Sequence, residues 1–211
     1  MRRIVLAIGV LIAAGIVGWF CPLFHVVSLE ARSAAQAEAA FNAAEFAAKF
    51  WDTTLAAALP NAADAAKLLA ALRENPEQAR EEFGRSVGLS RTYYFFVRGS
   101  GTIVTEDDKL VGVSLEENGA AADVLLVRGL VFGNAVRDAT GLLNPSDFRN
   151  SQHFNDVARE LNRLVESRVL PALTEEADVG RAIQFVGCAE AASRADEPLQ
   201  LTTVPVEVRF D

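Results

Sequence analysis

Residues 92–108, TYYFFVRGSGTIVTEDD, mark the point at which the sequence changes from a helical pattern to a strand pattern. Residues 93–97 are aromatic and β-branched, and this composition favours a strand. Gly99 and Gly101 interrupt the run before residues 102–105 resume it. Paired glycines inside a continuous strand usually mark a bulge or a sharp bend. Because a strand follows the glycines, and not the helix that a phosphate-cradling loop requires, we expect one long, bent strand here.

The chain after this strand follows the order of a small β-barrel. The predicted elements are strands at 110–115 and 123–131, a helix with one apolar face at 151–170, and strands at 181–188 and 199–210. Pro205 suggests an edge or a bulge in the last strand. Three strands, a helix and two strands, with a long bent first strand, is the order of an oligonucleotide/oligosaccharide-binding (OB) barrel. We predict an α+β chain with a five-stranded OB-like barrel at 91–211; a general α+β sandwich is the alternative.

The chain before the barrel is rich in alanine, with 19 alanines among residues 31–71, and alanine is the strongest helix former. Pro60 should end a first helix, Asp64 should cap a second, and Asn75 with Pro76 should begin a third. We expect residues 29–90 to form a helical arm that packs on the barrel; docking to a membrane partner or to a second copy is the alternative. The predicted apolar stripe of its first helix is Phe41, Ala44, Ala48, Trp51, Leu55 and Ala58.

The amino end is an apolar run, residues 4–20, which follows Arg2 and Arg3. Arginines at this position hold the end of such a segment on the cytoplasmic side. The run is long enough to span a bilayer, so we predict a signal anchor or transmembrane helix at 1–28. The prediction is a single-pass protein of the inner membrane whose carboxyl-terminal domain lies in the periplasm. Cleavage near Ala31 and Ser33 is the alternative.

The two cysteines predict neither a lipid anchor nor a disulfide. Lipidation of Cys21 needs a small residue before it, and Phe20 is bulky, so we expect an unmodified thiol there. Cys188 lies in an apolar run, where a buried and inert thiol is the ordinary case. No internal disulfide is expected, because one partner lies in the membrane segment.

Charge and motifs exclude several classes of function. The chain carries a net charge of −8, which argues against nucleic acid as a partner, since binding a polyanion requires a basic face. His25 and His153 have no second ligand at metal-binding spacing, and two histidines without triad context do not indicate a nucleophilic enzyme. No glycine-rich turn joins a strand to a helix in a βαβ unit. We therefore expect no metal, no cofactor and no catalytic residue.

A polar stretch between the third strand and the helix holds the tentative ligand-binding residues, because guanidinium and amide groups make directional bonds to hydroxyls and oxyanions. These residues are Arg128, Asn134, Arg137, Asp138, Arg149 and Asn150. A structural role explains the stretch as well. In that interpretation Arg137 forms ion pairs with Asp138 and Asp147, Asn144 caps a helical turn, and Phe148 plugs the end of the barrel.

The order of several short segments resembles a known family. The segments are residues 41–51, 93–101, 128–129 with 137–139, 148–150, 161–163, 185–187 and 205–208. Together they are similar to the uncharacterised bacterial family described as predicted periplasmic lipoproteins, which is often encoded beside ribose-type sugar ABC transporters. The resemblance implies an exported barrel domain with an accessory role in sugar uptake, and it carries over no catalytic residue. Phe20 departs from the lipoprotein pattern.

The leading hypothesis is a non-enzymatic accessory protein, anchored in the inner membrane, whose barrel binds a small saccharide, a sugar-binding protein or components of a sugar ABC transporter. A second hypothesis is a structural envelope protein that acts through its alanine-rich helix. A weaker one is a saccharide-acting enzyme with Asp138 and Asp147 as acid and base, which requires two carboxylates that face each other.

Overall fold

A closed barrel is the centre of the fold. The computed structural model describes residues 41–87, 92–192 and 199–210, and Asn42–Asp211 form one compact unit. The described strands are β1 (Ala63–Asp64), β2 (Gly84–Arg85), β3 (Tyr94–Glu106), β4 (Leu110–Ser114), β5 (Val124–Val127), β6 (Ala182–Ala192) and β7 (Gln200–Phe210). The described helices include α1 (Ala43–Lys49), α2 (Ala65–Glu74), α3 (Pro76–Phe83), α4 (Ala135–Asp138), α5 (Ser151–Arg168) and α6 (Leu170–Glu176).

The five long strands close in the order β3, β4, β5, β7 and β6, and β6 pairs back with β3. The pairs are antiparallel except for β5 with β7, which run parallel. Helices α4 to α6 connect the third and fourth barrel strands, β5 and β6. The barrel predicted from the order of the elements is therefore confirmed.

The long strand β3 is one strand through both glycines, and the irregularity in its register lies after them, between Ile103 and Thr105 in the pairing with β4. Its first part, through Thr102, pairs with β6, and its last part, from Thr102 to Glu106, pairs with β4. A Cβ atom on Gly101 would lie 2.0 Å from the carbonyl oxygen of Ser114. A Cβ atom on Gly99 would lie 2.7 Å from the ring of Phe185. Both positions require glycine because neighbouring groups approach the strand closely where it passes from one side of the barrel to the other.

One predicted boundary in the barrel connections is wrong. The third strand ends at Val127 and not at residue 131, so residues 128–131 belong to the connection. The predicted helix 151–170 corresponds to α5, which ends at Arg168. A further helix, α6, follows it, and Pro171 lies in the first turn of α6, where its missing N–H costs nothing.

Pro205 lies at a bulge and not at a sheet edge. Val186 pairs with Glu207, whereas Gly187 pairs with Pro205, so β7 contains one extra residue at this point. Strand β7 lies between β5 and β6 in the barrel. The parallel pairing with β5 involves only residues 201–203, so the missing N–H of Pro205 breaks no ladder with that strand.

The first helix of the arm has a different buried face from the predicted stripe. Helix α1 continues as a π-helical segment, Phe50–Leu55, and its buried residues are Ala47, Phe50 and Leu55. Phe50 and Leu55 are five residues apart, and a π-helix places residues at this spacing on one face. The predicted stripe shares Leu55 with these buried residues, but it also included Ala44, which is exposed.

The described part of the arm, residues 41–87, is joined to the rest of the unit through α1, β1 and β2. Helix α1 packs against α5, and Asp52 pairs with Arg168 of that helix. Strand β1 pairs in parallel with β3, and β2 pairs with β3 in the antiparallel direction. Asp64 caps α2, and Asn75 caps α3, by accepting hydrogen bonds from Lys67 N and Gln78 N. These two caps confirm the predicted helix starts.

Several predictions concern residues 1–40, which lie outside the described residues. They include the signal anchor or transmembrane helix at 1–28, the unmodified thiol of Cys21 and the cleavage near Ala31. Within the described ranges no helix is long and apolar enough to cross a membrane. Within the same ranges no group of three or more histidine, cysteine and acidic side chains could hold a metal ion.

Cys188 is fully buried on β6, as predicted. Burial raises the pKa of its thiol far above the usual range, and the carboxylate of Asp138 raises it further. Because the thiolate is the reactive form, we expect Cys188 to resist alkylation in the native protein and to react rapidly in denaturant. Mass spectrometry of the Cys188 peptide measures this difference. Equal labelling rates in the native and unfolded protein would contradict the buried position.

Candidate functional site

A buried ion pair organises the polar connection between β5 and α5. In helix α4, Arg137 Nε donates to Asp138 Oδ1 at 2.6 Å, and Arg137 Nη2 donates to Asp138 Oδ2 at 3.0 Å. Each of the two residues is 4% exposed. A bidentate pair of this kind satisfies both carboxylate oxygens and fixes the plane of the guanidinium. Because both residues belong to α4, the pair holds the guanidinium of Arg137 in one orientation on that helix.

The same arginine ties α4 to α5. Its Nη1 donates to Asn155 Oδ1 at 2.9 Å and to the carbonyl oxygen of Phe154 at 3.4 Å, and its guanidinium lies 3.7 Å from the ring centroid of Phe154. Phe148 packs between Phe154 and Phe46 of α1, with ring centroids 5.2 and 5.3 Å away. The described contacts of Phe148 are therefore with helices, whereas the structural interpretation had placed it at the end of the barrel.

Arg128 is also engaged within the protein. Its Nη1 donates to Glu106 Oε2 at 2.9 Å, and its Nη2 donates to the carbonyl oxygen of Thr174 at 2.8 Å. These bonds connect the end of β5 to the end of β3 and to α6. Arg128 thus acts as a brace between the barrel and the helices in this structure.

The remaining predicted binding residues lie in different places. Asn150 caps α5 and accepts from His153 N at 2.8 Å. Arg149 is exposed, and Asn134 precedes α4 and lines a pocket of about 390 Å³. The six residues therefore do not converge on one pocket, and their role in ligand binding stays a prediction.

The two carboxylates of the enzyme hypothesis are both engaged in structural bonds. Asp138 is saturated by Arg137, and Asp147 Oδ2 accepts from Asn144 N at 3.3 Å in a capping box. A general acid or base must be within reach of the group with which it exchanges a proton. The buried position of Asp138 offers a substrate no such reach in this arrangement.

The most exposed large apolar side chains of the described residues lie in the same connection. Leu130 is 72% exposed and Phe132 is 78% exposed, while Val131 between them is buried. Val131 N donates to Glu166 Oε1 at 2.9 Å, and Asn162 Nδ2 donates to the carbonyl oxygen of Gly133 at 3.0 Å. Leu130 and Phe132, called here the 130/132 patch, are therefore held outward by a backbone that is fastened to α5.

Two pockets adjoin the 130/132 patch. One, of about 350 Å³, includes Leu130 with Leu170 and Pro171 of α6. The other, of about 390 Å³, includes Phe132 with Asn155 and Asn162 of α5. The patch thus consists of two apolar side chains, and each of them borders one of the two pockets. A partner that inserts side chains into these pockets would cover Leu130 and Phe132.

Sequence reasoning missed this patch because the third strand had been predicted to run to residue 131, which includes Leu130, and Phe132 was not singled out in the stretch after it. A continuous apolar run is typical of a strand, and the one signal against it was the pair of flanking glycines. Gly133 has a φ of 84°, a conformation that glycine adopts readily and that ends an extended run. The patch could be recognised only once β5 was known to end at Val127.

Comparisons with known proteins agree with this fold. A family model described as predicted periplasmic lipoprotein (DUF2291) matches residues 8–209. The structure is similar to the crystal structure of an OB-fold protein from Thermotoga maritima MSB8, with a TM-score of 0.69 and 29% sequence identity. That match covers 81% of this chain and 99% of the other. No protein with a curated description matches the chain significantly.

Proposed function

This chain belongs to the family of predicted periplasmic lipoproteins, and we propose that it is a non-enzymatic accessory protein of a sugar ABC transport system. In this proposal its first segment anchors it in the inner membrane and the barrel domain lies in the periplasm. The barrel binds a protein component of the transport system through the 130/132 patch. We choose a sugar ABC transport system because the resemblance described above implies that genes of this family often lie beside genes for such transporters.

The observation that carries the proposal is the fixed exposure of Leu130 and Phe132. Contiguous exposed apolar side chains on a soluble surface often mark an interaction site. Flexible loops can fold such side chains inward, but this segment is held by the hydrogen bonds to Glu166 and from Asn162. A surface that is ordered before binding loses less conformational entropy on association.

The surroundings of the patch suit a protein partner. Arg159 and Arg163 of α5 line the pocket beside Phe132, and each forms an ion pair with the acidic residue three positions before it. The rim is therefore polar, and the charges of its two α5 arginines are offset by their partners, while the centre is apolar. This arrangement, an apolar centre within a polar rim, is the usual anatomy of a protein interface.

Site-specific photocrosslinking in living cells tests the proposal. A photoreactive phenylalanine analogue at position 132 of the full-length chain should form an adduct with one component of a sugar transporter, identified by mass spectrometry. The matched control is the same analogue at Val179, an exposed apolar residue that lines neither pocket. We expect the adduct at 132 and not at 179. In addition, Leu130→Ser with Phe132→Ser should remove co-purification of that component and leave the fold intact.

Three results would contradict this function. Equal adducts at positions 132 and 179 would show non-specific contact. An adduct of twice the mass of the chain would show that the patch joins two copies of this protein. Crosslinks to lipid alone would make the patch a membrane contact.

A further inference from the structure

A third concave surface, apart from the two pockets beside the 130/132 patch, lies on the outer wall of the barrel. The ligand inferred for it is separate from the partner proposed above. This open cleft has a volume of about 890 Å³. Its floor is formed by β3, β6 and β7. Its rim is formed by Ala56 of the helical turn Ala56–Ala58, by Leu59 and Pro60 of the following 3₁₀ turn, and by Asp64 of β1. The volume lies in the range of small-molecule sites.

The strand register arranges the polar side chains of the floor in two rows. Ser100 of β3 pairs with Gln184 of β6, which pairs with Arg209 of β7. In the next row, Arg98 pairs with Val186, which pairs with Glu207. All six residues line the cleft. Neighbouring strands are about 4.8 Å apart and alternate residues about 6.8 Å apart, so the two rows form a grid on the scale of a six-carbon sugar.

The charges of the cleft leave one cation without a partner. Arg209 and Glu207 form an ion pair at 3.2 Å. Asp64 Oδ1 accepts from Lys67 N at 3.0 Å at the amino end of α2, where the helix dipole offsets part of its charge. Asp64 is also the register partner of Arg98 in the parallel pairing of β1 with β3, but among the described residues no hydrogen bond or ion pair engages the guanidinium of Arg98. Because the guanidinium of Arg98 has no such bond, the cleft favours a ligand with one negative charge.

The other side chains of the cleft indicate which groups the ligand carries beside its negative charge. Gln184 offers both a donor and an acceptor, and Ser100 offers a hydroxyl, so both can bind sugar hydroxyls. The apolar rim at Leu59 and Pro60 can cover the C–H face of a sugar ring. We infer that this cleft binds a hydroxylated monocarboxylate, a uronate or an aldonate, whose carboxylate pairs with Arg98 and whose hydroxyls contact Ser100 and Gln184.

This site differs from the usual ligand surface of an OB barrel, which lies on the second and third barrel strands and the loop before them. Here that loop is a tight turn in which Asp107 Oδ1 accepts from Lys109 N and Leu110 N at 2.7 and 2.8 Å. These bonds lower the pKa of Asp107 below its usual value. A turn of this kind does not extend over a ligand.

Isothermal titration of the full-length chain in detergent, with D-glucuronate as the probe and D-glucose as its uncharged counterpart, tests the inference. We expect glucuronate to bind at least about tenfold more tightly than glucose, because a hydrogen-bonded charge pair contributes at least that factor. Arg98→Gln should weaken glucuronate binding at least about tenfold and leave glucose binding unchanged. Arg80→Gln, which removes another exposed guanidinium that lines no pocket described here, should change neither.

Each contrary result overturns the inference. The contrary results are equal affinity for the two sugars, no measurable binding of glucuronate, unchanged glucuronate binding by the Arg98→Gln variant, and an equal loss of binding in the Arg80→Gln variant. Gln184→Leu provides a second variant in the other row, and it should weaken binding of both sugars if the grid is the site. Unfolding midpoints measured without ligand show whether each variant folds. Failure of this test leaves the crosslinking test unaffected, because position 132 does not line the cleft.

Discussion

Replacing Gly101 with alanine is expected to lower the free energy of unfolding by about 3 kcal/mol or more. The new methyl group would lie 2.0 Å from the carbonyl oxygen of Ser114 and 2.9 Å from Val113 Cγ1. The nearer atom belongs to the backbone of β4, so no side-chain rotation can relieve the overlap. Strands β3 and β4 would have to separate where their pairing begins, at Thr102 with Ser114. Denaturant unfolding followed by circular dichroism measures the loss.

The matched control is Gly129→Ala. A Cβ atom there would meet nothing closer than 3.7 Å, the Cα of Lys109, which is ordinary van der Waals contact. We expect a change within about 0.5 kcal/mol, as for most surface substitutions. If Gly101→Ala were as mild as Gly129→Ala, the close approach of β4 to β3 would be wrong.

The barrel could be predicted because its signals are local. A strand repeats every two residues, and glycines within a strand are visible wherever they occur. The order of β3 to β7 with one helical insertion then restricts the topology, since connections in small domains follow few patterns. Pro205 likewise predicted an edge or a bulge, because proline cannot donate to a strand ladder, and the structure has the bulge.

The arm was predicted less well because its details depend on packing. Nothing in the alanine-rich composition distinguishes an α-helical turn from the π-helical turn at Phe50–Leu55. The bulky Phe50 and Leu55 both become buried when the helix widens, and this gain exists only in the folded unit. The two-residue strands β1 and β2 are too short for any periodic signal, and they form because β3 presents free backbone groups to them.

The polar connection shows the same division between local and tertiary information. Composition located the cluster around Arg137 and Asp138 but gave no sign that both are buried. Their burial depends on α5, which supplies Phe154 and Asn155 as contacts for the guanidinium. Leu130 was missed because the local pattern was misleading: its apolar neighbours resemble a continuing strand.

The buried pair and the exposed patch belong to one arrangement. Arg137 fixes α4 on α5, and Asn162 of α5 holds Gly133, which immediately precedes the turn into α4. The patch is therefore positioned from both sides by bonds to the same helix. A substitution that breaks the Arg137–Asp138 pair should therefore shift Gly133 and, with it, Phe132. Partner binding at the patch should then depend on Arg137 and Asp138, although both are buried and do not contact the partner.

Substituting Arg137 with methionine is the second change with a large expected effect. It leaves the carboxylate of Asp138 buried without its partner, and breaking a buried ion pair in this way costs about 3–5 kcal/mol. The double substitution Arg137→Met with Asp138→Leu removes both charges and keeps apolar volume, so it should recover much of the stability. The unfolding free energies of the native chain, the single variant and the double variant give the comparison.

Arg159→Met is the control for the loss of an arginine, because Arg159 pairs with Asp156 on the exposed face of the neighbouring helix. Exposed pairs contribute about 0–1 kcal/mol, so this variant should unfold close to the native chain. A single variant at position 137 as stable as this control would mean that Asp138 is not held in a buried pair. A double variant as unstable as the single one would mean that the bonds from Arg137 to Asn155 and Phe154, and not its charge, determine the stability of α4. In that second case crosslinking at position 132 should fall in both variants alike.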